Sequence, residues 1–150
     1  MDLKKILIAA DASENAKRAS SYVGEIIGSR EGFQVEILYV IRHPDRDLFP
    51  DEASWKAKKE QEIEQASRIL SDLSDLLKKK GIPASSIKVT AKEAKGFSIA
   101  QTILGYQQKH GFGTIVVGRR GVSKAEEFLF GSVSNKIVHY ARDCAVWVIE

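Results

Sequence analysis

Thr114-Ile115-Val116-Val117-Gly118-Arg119-Arg120-Gly121 is the stretch on which the reading of this chain turns. Its first four residues are apolar or β-branched and do not alternate with polar ones. That pattern predicts a short strand buried on both faces, as in a parallel sheet covered by helices. Gly118 ends the run and Gly121 follows three positions later. After nine more residues comes Gly131-Ser132-Val133-Ser134, where a helical pattern with Val133, Ile137 and Tyr140 on one side begins. Glycines placed after a buried strand allow backbone N–H groups to turn toward a bound anion and approach it closely. A helix N-terminus near Ser132 adds its positive dipole end. The hydroxyls of Ser132 and Ser134 and the charges of Arg119, Arg120 and Lys124 complete a candidate phosphate cradle built mostly of backbone.

Working outward, strand patterns alternate with helix patterns. Lys4–Ala10 reads as a first buried strand, closed by the turn Asp11-Ala12-Ser13 with Ser13 as a helix N-cap. The helix after it has the stripe Ala16, Ser20, Val23 and Ile27 and stops at Gly28-Ser29. Val35–Ile41 reads as a second strand. A polar loop follows, then a long helix from about Asp51 to Lys80 with the stripe Ile63, Ala66, Leu70, Leu73 and Leu77. Gly81 and Pro83 stop it. Ile87–Ala91 is a weaker third strand. Ser98 and Gln101 have capping-box spacing ahead of a third helix with the stripe Ile99, Ile103 and Tyr106. Gly111 and Gly113 are read as breaking that helix before the fourth strand, and Ala145–Ile149 as a fifth strand. The order implies an α/β fold: one domain over residues 1–150, with an open, doubly wound, mainly parallel five-stranded sheet and four helices.

Composition narrows the function classes. The 150 residues suit one core. A net charge of +3, interleaved with acids, gives no reason to expect a nucleic-acid partner. No apolar run approaches the ~20 residues of a membrane span. Cys144 is the single cysteine, which excludes an intrachain disulfide and fits a reducing compartment; a cytoplasmic protein is expected. A buried, unreactive thiol is the expectation for it. His43, His110 and His139 are scattered and expected at the surface or at helix ends, and no protein-only metal site is expected. The chain has neither a Gly-x-Ser-x-Gly elbow nor a Walker-type run.

The arrangement of Gly118, Gly121 and Gly131-Ser132 resembles the ATP-binding signature of the universal stress protein family. Ile6–Ser13 resembles the family's first strand and Asp-x-Ser turn. Leu38-Tyr39-Val40 resembles its second-strand ending, and Thr114–Gly118 its fourth strand. The chain departs from the family pattern at Ala94-Lys95-Gly96, Gly113 and Ala145. The resemblance implies a Rossmann-like sheet of order 3-2-1-4-5 and a pocket holding ATP with Mg²⁺. Ala9 and Asp11 would line it, Val40 would meet the adenine through its backbone, and Gly118, Arg119, Gly121, Gly131, Ser132 and Val133 would hold ribose and phosphates. It also implies a homodimer through Val146, Trp147 and Val148, and a role in sensing or buffering nucleotide and signalling to a protein partner. Two alternatives stay open: a slow ATPase or self-phosphorylating protein using Ser132 or Ser134, and an interaction domain without nucleotide.

Overall fold

The computed structural model describes residues 1–119 and 133–150. Five strands form one parallel sheet: β1 (Asp2–Ala10), β2 (Gln34–Ile41), β3 (Ile87–Glu93), β4 (Phe112–Gly118) and β5 (Ala145–Ile149). Their spatial order is β3-β2-β1-β4-β5, as expected. The strands with the longest apolar runs, β1, β2 and β4, hold the centre; the more polar β3 and the short β5 are the edges. Four α-helices lie among the described residues: α1 (Glu14–Ile27), α2 (Glu52–Lys79), α3 (Ile99–His110) and α4 (Val133–Tyr140).

The helices divide between the two faces. α1 and α2 pack on one, and the core there joins Ile6, Ile8, Val23, Val35, Ile37 and Leu73. α3 and α4 take the other, with Leu7, Leu38, Ile103, Phe112, Ile115 and Ile137. Odd and even residues of each central strand therefore serve different cores, which is why the sequence runs are continuous.

Local signals explain most helix ends. Ser98 and Gln101 make the reciprocal capping box on α3, and Gly111 ends that helix in the left-handed region at φ 68°. The Asp51 carboxylate caps α2 by accepting from the Ser54 amide. Ser13 holds the N-cap position of α1, yet its hydroxyl makes no cap. It donates instead to Asp11 Oδ1 at 2.5 Å, and the Ser13 amide donates to the same oxygen at 2.8 Å.

Three expectations are corrected. Gly113 does not break α3; it is a buried residue inside β4. The β1–β4 register slips there, with Asp2 opposite Phe112 but Ile6 opposite Thr114. A Cβ on Gly113 would stand 2.4 Å from the Asp2 carbonyl oxygen, so the irregularity admits only glycine. Ile63 and Tyr140, assigned to inward stripes, are 46% and 61% exposed. Ile63 and Tyr140 lie just outside the buried stripes of α2 and α4, which run Ala66, Leu70, Leu73 and Leu77 in α2 and Ser134 and Ile137 in α4.

Candidate functional site

The strand order reverses direction at one place. From β1 the chain proceeds to β2 on one side, and from β4 to β5 on the other. Open α/β sheets bind ligands at such a point, outside the carboxyl ends of the strands. A small cavity of about 40 Å³ lies there, lined by Ala9, Ala10 and Asp11 after β1, Val117 and Gly118 of β4, and Val133 and Ser134 of α4. Ile99 and Ile103 of α3 close it. A hollow of about 400 Å³ beside it runs along the ends of β2 and β3, from Ile41 and Arg42 to Lys95 and Ser98. Val40 belongs to the same apolar cluster as Ala9, Val117 and Val133.

Of the residues singled out in the sequence, the fold thus brings together Ala9, Asp11, Val40, Gly118, Val133 and Ser134. Arg120, Gly121, Lys124, Gly131 and Ser132 lie outside the described residues. Arg119 is described and exposed. Its guanidinium pairs with the Glu150 carboxylate, and its amide donates to the Ile149 carbonyl at 2.7 Å. It ties the end of β4 to the end of β5.

Gly118 has a packing role that spacing does not reveal. A Cβ there would lie 2.6 Å from the Asn15 Cβ and 2.8 Å from the Asn15 carbonyl carbon and oxygen. The first turn of α1 crosses the end of β4 too closely for any side chain. Asn15 is itself buried. Its amide donates to the Arg119 carbonyl, and its Oδ1 accepts from Arg18 at 2.7 Å. Asn15, Ile99 and Ile103 were not expected in the site. The only sequence signal for Asn15 was a polar residue next to the apolar stripe of α1.

The segment after β2 is pinned. His43 Nδ1 lies 3.2 Å from Glu62 Oε2 on α2, and its Nε2 lies 3.1 Å from Glu93 Oε1 on β3. The hydrogen bond from His43 holds the Glu93 carboxyl below the usual carboxylate range. Trp55 Nε1 donates to the Pro44 carbonyl at 2.9 Å. His43 is therefore a half-buried tether, in place of the surface histidine expected. Cys144 is half-buried, less than the buried thiol expected; that burial still pushes its thiol up, and Asp143 adds to this. Among the described residues no group of His, Cys, Asp and Glu could hold a metal ion. No helix there is long and apolar enough to cross a membrane.

A parallel 3-2-1-4-5 sheet with a cavity at its reversal point defines a Rossmann-like ligand-binding class. Within that class, the family model for the Universal stress protein family matches residues 2–150, and the chain belongs to that family. The universal stress protein YxiE of Bacillus subtilis (strain 168) is 31% identical over 114 residues, covering 76% of this chain. The match spans 66% of that relative's length, just under two thirds. A universal stress protein in complex with cAMP superposes with a TM-score of 0.73 at 17% identity, covering 97% of this chain and 96% of the other. The universal stress protein from Archaeoglobus fulgidus in complex with dAMP gives 0.69 at 21% identity over 100% of both chains.

Proposed function

We propose that this chain is an ATP-binding universal stress protein module, one unit from residue 1 to 150, acting in the cytoplasm. The observation that carries the reading is the cavity at the reversal of strand order. Its walls are Ala9, Asp11, Gly118, Val133 and Ser134, and two of them bracket the segment with the glycine spacing. The hollow along β2 and β3 offers room for a base near Val40. Gly121, Gly131, Ser132, Arg120 and Lys124 would hold the phosphates, with Mg²⁺ carried mainly by the phosphate oxygens. That structurally similar universal stress proteins are found in complex with cAMP and dAMP supports an adenine nucleotide as the ligand class.

The module would sense or buffer nucleotide and pass that state to a protein partner, with a second copy joined through β5. A slow hydrolysis or self-phosphorylation at Ser132 or Ser134 is the competing reading. It predicts phosphate release, or an intact-mass shift with ATP, that Gly131→Val abolishes.

Calorimetric titration with Mg-ATP tests the binding itself. Wild-type protein is expected to bind in the micromolar range, and Gly131→Val to lose at least about tenfold in affinity, a difference of ~1.4 kcal/mol. Gly118→Val is unsuitable as evidence for a phosphate contact, because its side chain would strike the Asn15 backbone whether or not a nucleotide binds. No heat with wild-type protein would instead favour an interaction domain without nucleotide.

A further inference from the structure

A second, roomier hollow adjoins the one along the ends of β2 and β3, sharing Glu93, Lys95 and Phe97 with it, and extends away from the strand ends along α3. It is a groove of about 710 Å³ between the edge strand β3 and one face of α3. It exists because α3 packs over β2 and β4 and leaves the adjoining face of β3 uncovered. Its size falls within the range of small-molecule sites. Lys92, Lys95 and Lys109 stand along it, and among the described residues none of the three has a carboxylate within ion-pair distance. Glu93 is the carboxylate in the lining; its Oε1 is engaged by His43, and Lys95 acts on it from beyond ion-pair distance. The apolar walls come from rings. Phe97 is 63% exposed at one end, and Lys92 Nζ sits 5.8 Å from the centre of the Tyr106 ring.

Gly105 carries the inference further. It lies in the middle of α3, on the groove side, one turn from Gln101 and one from Lys109. Glycine inside a helix is unfavourable, because it forfeits more backbone entropy than any other residue. Gly113 and Gly118 are forced by backbone that a Cβ would strike. At Gly105 a Cβ would meet nothing within 4 Å, and the residue is not among those with positive φ. What its missing side chain provides is space on the groove floor.

We infer that this groove is a second binding site, for a small organic anion that carries a carboxylate, sulfonate or phosphate on an apolar, ring-containing body. The ring body lies over Gly105 between Phe97 and Tyr106, and the amines of Lys92, Lys95 and Lys109 meet the charge. A small ligand is favoured over an added strand because lysines in an edge strand, here Lys88 and Lys92 of β3, discourage pairing with another strand.

The probe is anilinonaphthalene sulfonate, an aromatic anion whose fluorescence rises on binding. Wild-type protein is expected to bind it saturably at one site, and saturating Mg-ATP is expected to leave that binding unchanged. Gly105→Leu fills the floor with a better helix former and should weaken the dye by about tenfold or more. Lys92→Gln with Lys109→Gln should weaken it as well. Gly105→Ala serves as the folding control and should raise the melting temperature by about 2 to 4 °C. Unchanged affinity in Gly105→Leu overturns the proposal. So does displacement of the dye by Mg-ATP, which would put the dye at the strand ends. A groove that takes a polyglutamate peptide and refuses the dye overturns it too.

Discussion

The two edges of the sheet are built in opposite ways. β3 reads Ile87-Lys88-Val89-Thr90-Ala91-Lys92-Glu93, and every position is exposed or half-exposed. β5 reads Ala145-Val146-Trp147-Val148-Ile149, with no charge at all. Among the described residues, both have an outer row of backbone groups without a strand neighbour. Lysines on an edge discourage pairing with another chain, and an apolar edge invites it. Trp147 does turn partly inward, meeting Tyr22 of α1 edge to face at 6.1 Å, while Val148 stays 41% exposed. The contrast teaches that one fold can guard one edge with charge and leave the other apolar.

The polar edge also has a buried anchor, which the apolar edge lacks among the described residues. Glu36 on β2 is almost fully buried. It accepts hydrogen bonds from Thr90 of β3 at 2.5 Å and from Tyr106 of α3 at 2.6 Å, and it pairs with Lys88 at 3.1 Å. Three elements thus meet on one carboxylate. Removing it leaves the Tyr106 hydroxyl buried without its acceptor and frees β3 from α3. Glu36→Ala is therefore expected to show the largest effect, a loss of about 3 kcal/mol by urea unfolding. A loss under about 1 kcal/mol would mean that backbone pairing with β2 alone holds the edge.

At the other edge, Val148→Lys gives β5 the device that β3 already has. If β5 joins two copies, the dimer dissociation constant should rise by at least about tenfold, an effect of ~1.4 kcal/mol. Sedimentation of wild type and variant measures it, and the half-exposed position leaves the monomer fold little changed. A wild-type protein that sediments as a monomer at micromolar concentration removes the dimer. A variant that dimerises as well as wild type moves the interface away from β5.

How much of this was legible beforehand differs by region. The central strands were, because burial on both faces forces continuous apolar runs such as Ile6–Ala10 and Thr114–Val117. The capping box on α3 was, because Ser98 and Gln101 act within one turn. The long-range features were not. Glu36 read as one more strand residue, since its partners lie 54 and 70 positions away. Gly113 looked like a helix breaker because the register slip against Asp2 has no local signature. His43 looked like a surface histidine because Glu62 and Glu93 reach it from separate elements. At the strand ends, Gly118 stood out by its spacing, but its contact with Asn15 comes from a helix crossing that no spacing rule encodes.

The smallest effect sharpens the comparison through pH. Burial pushes the Glu36 carboxyl up, but the hydrogen bonds from Thr90, Tyr106 and Lys88 together outweigh it, and the group titrates below the usual carboxylate range. A carboxyl with a lowered value in the folded state stabilises the fold when the pH is above its ordinary value. That contribution is lost as the pH falls through the lowered folded value. Acid should therefore loosen the β3 edge. The loss should be smaller than in Glu36→Ala, since a protonated carboxyl keeps its volume and one oxygen can still accept. Urea unfolding at pH 7 and near pH 3 should show wild type losing more stability than Glu36→Gln, which has no proton to gain. Amide hydrogen exchange should locate the difference in β3, with β5 unaffected, because β5 has no ionisable side chain to titrate. Equal losses in wild type and Glu36→Gln would assign the acid sensitivity to the surface carboxylates and leave the two edges alike in their response to pH.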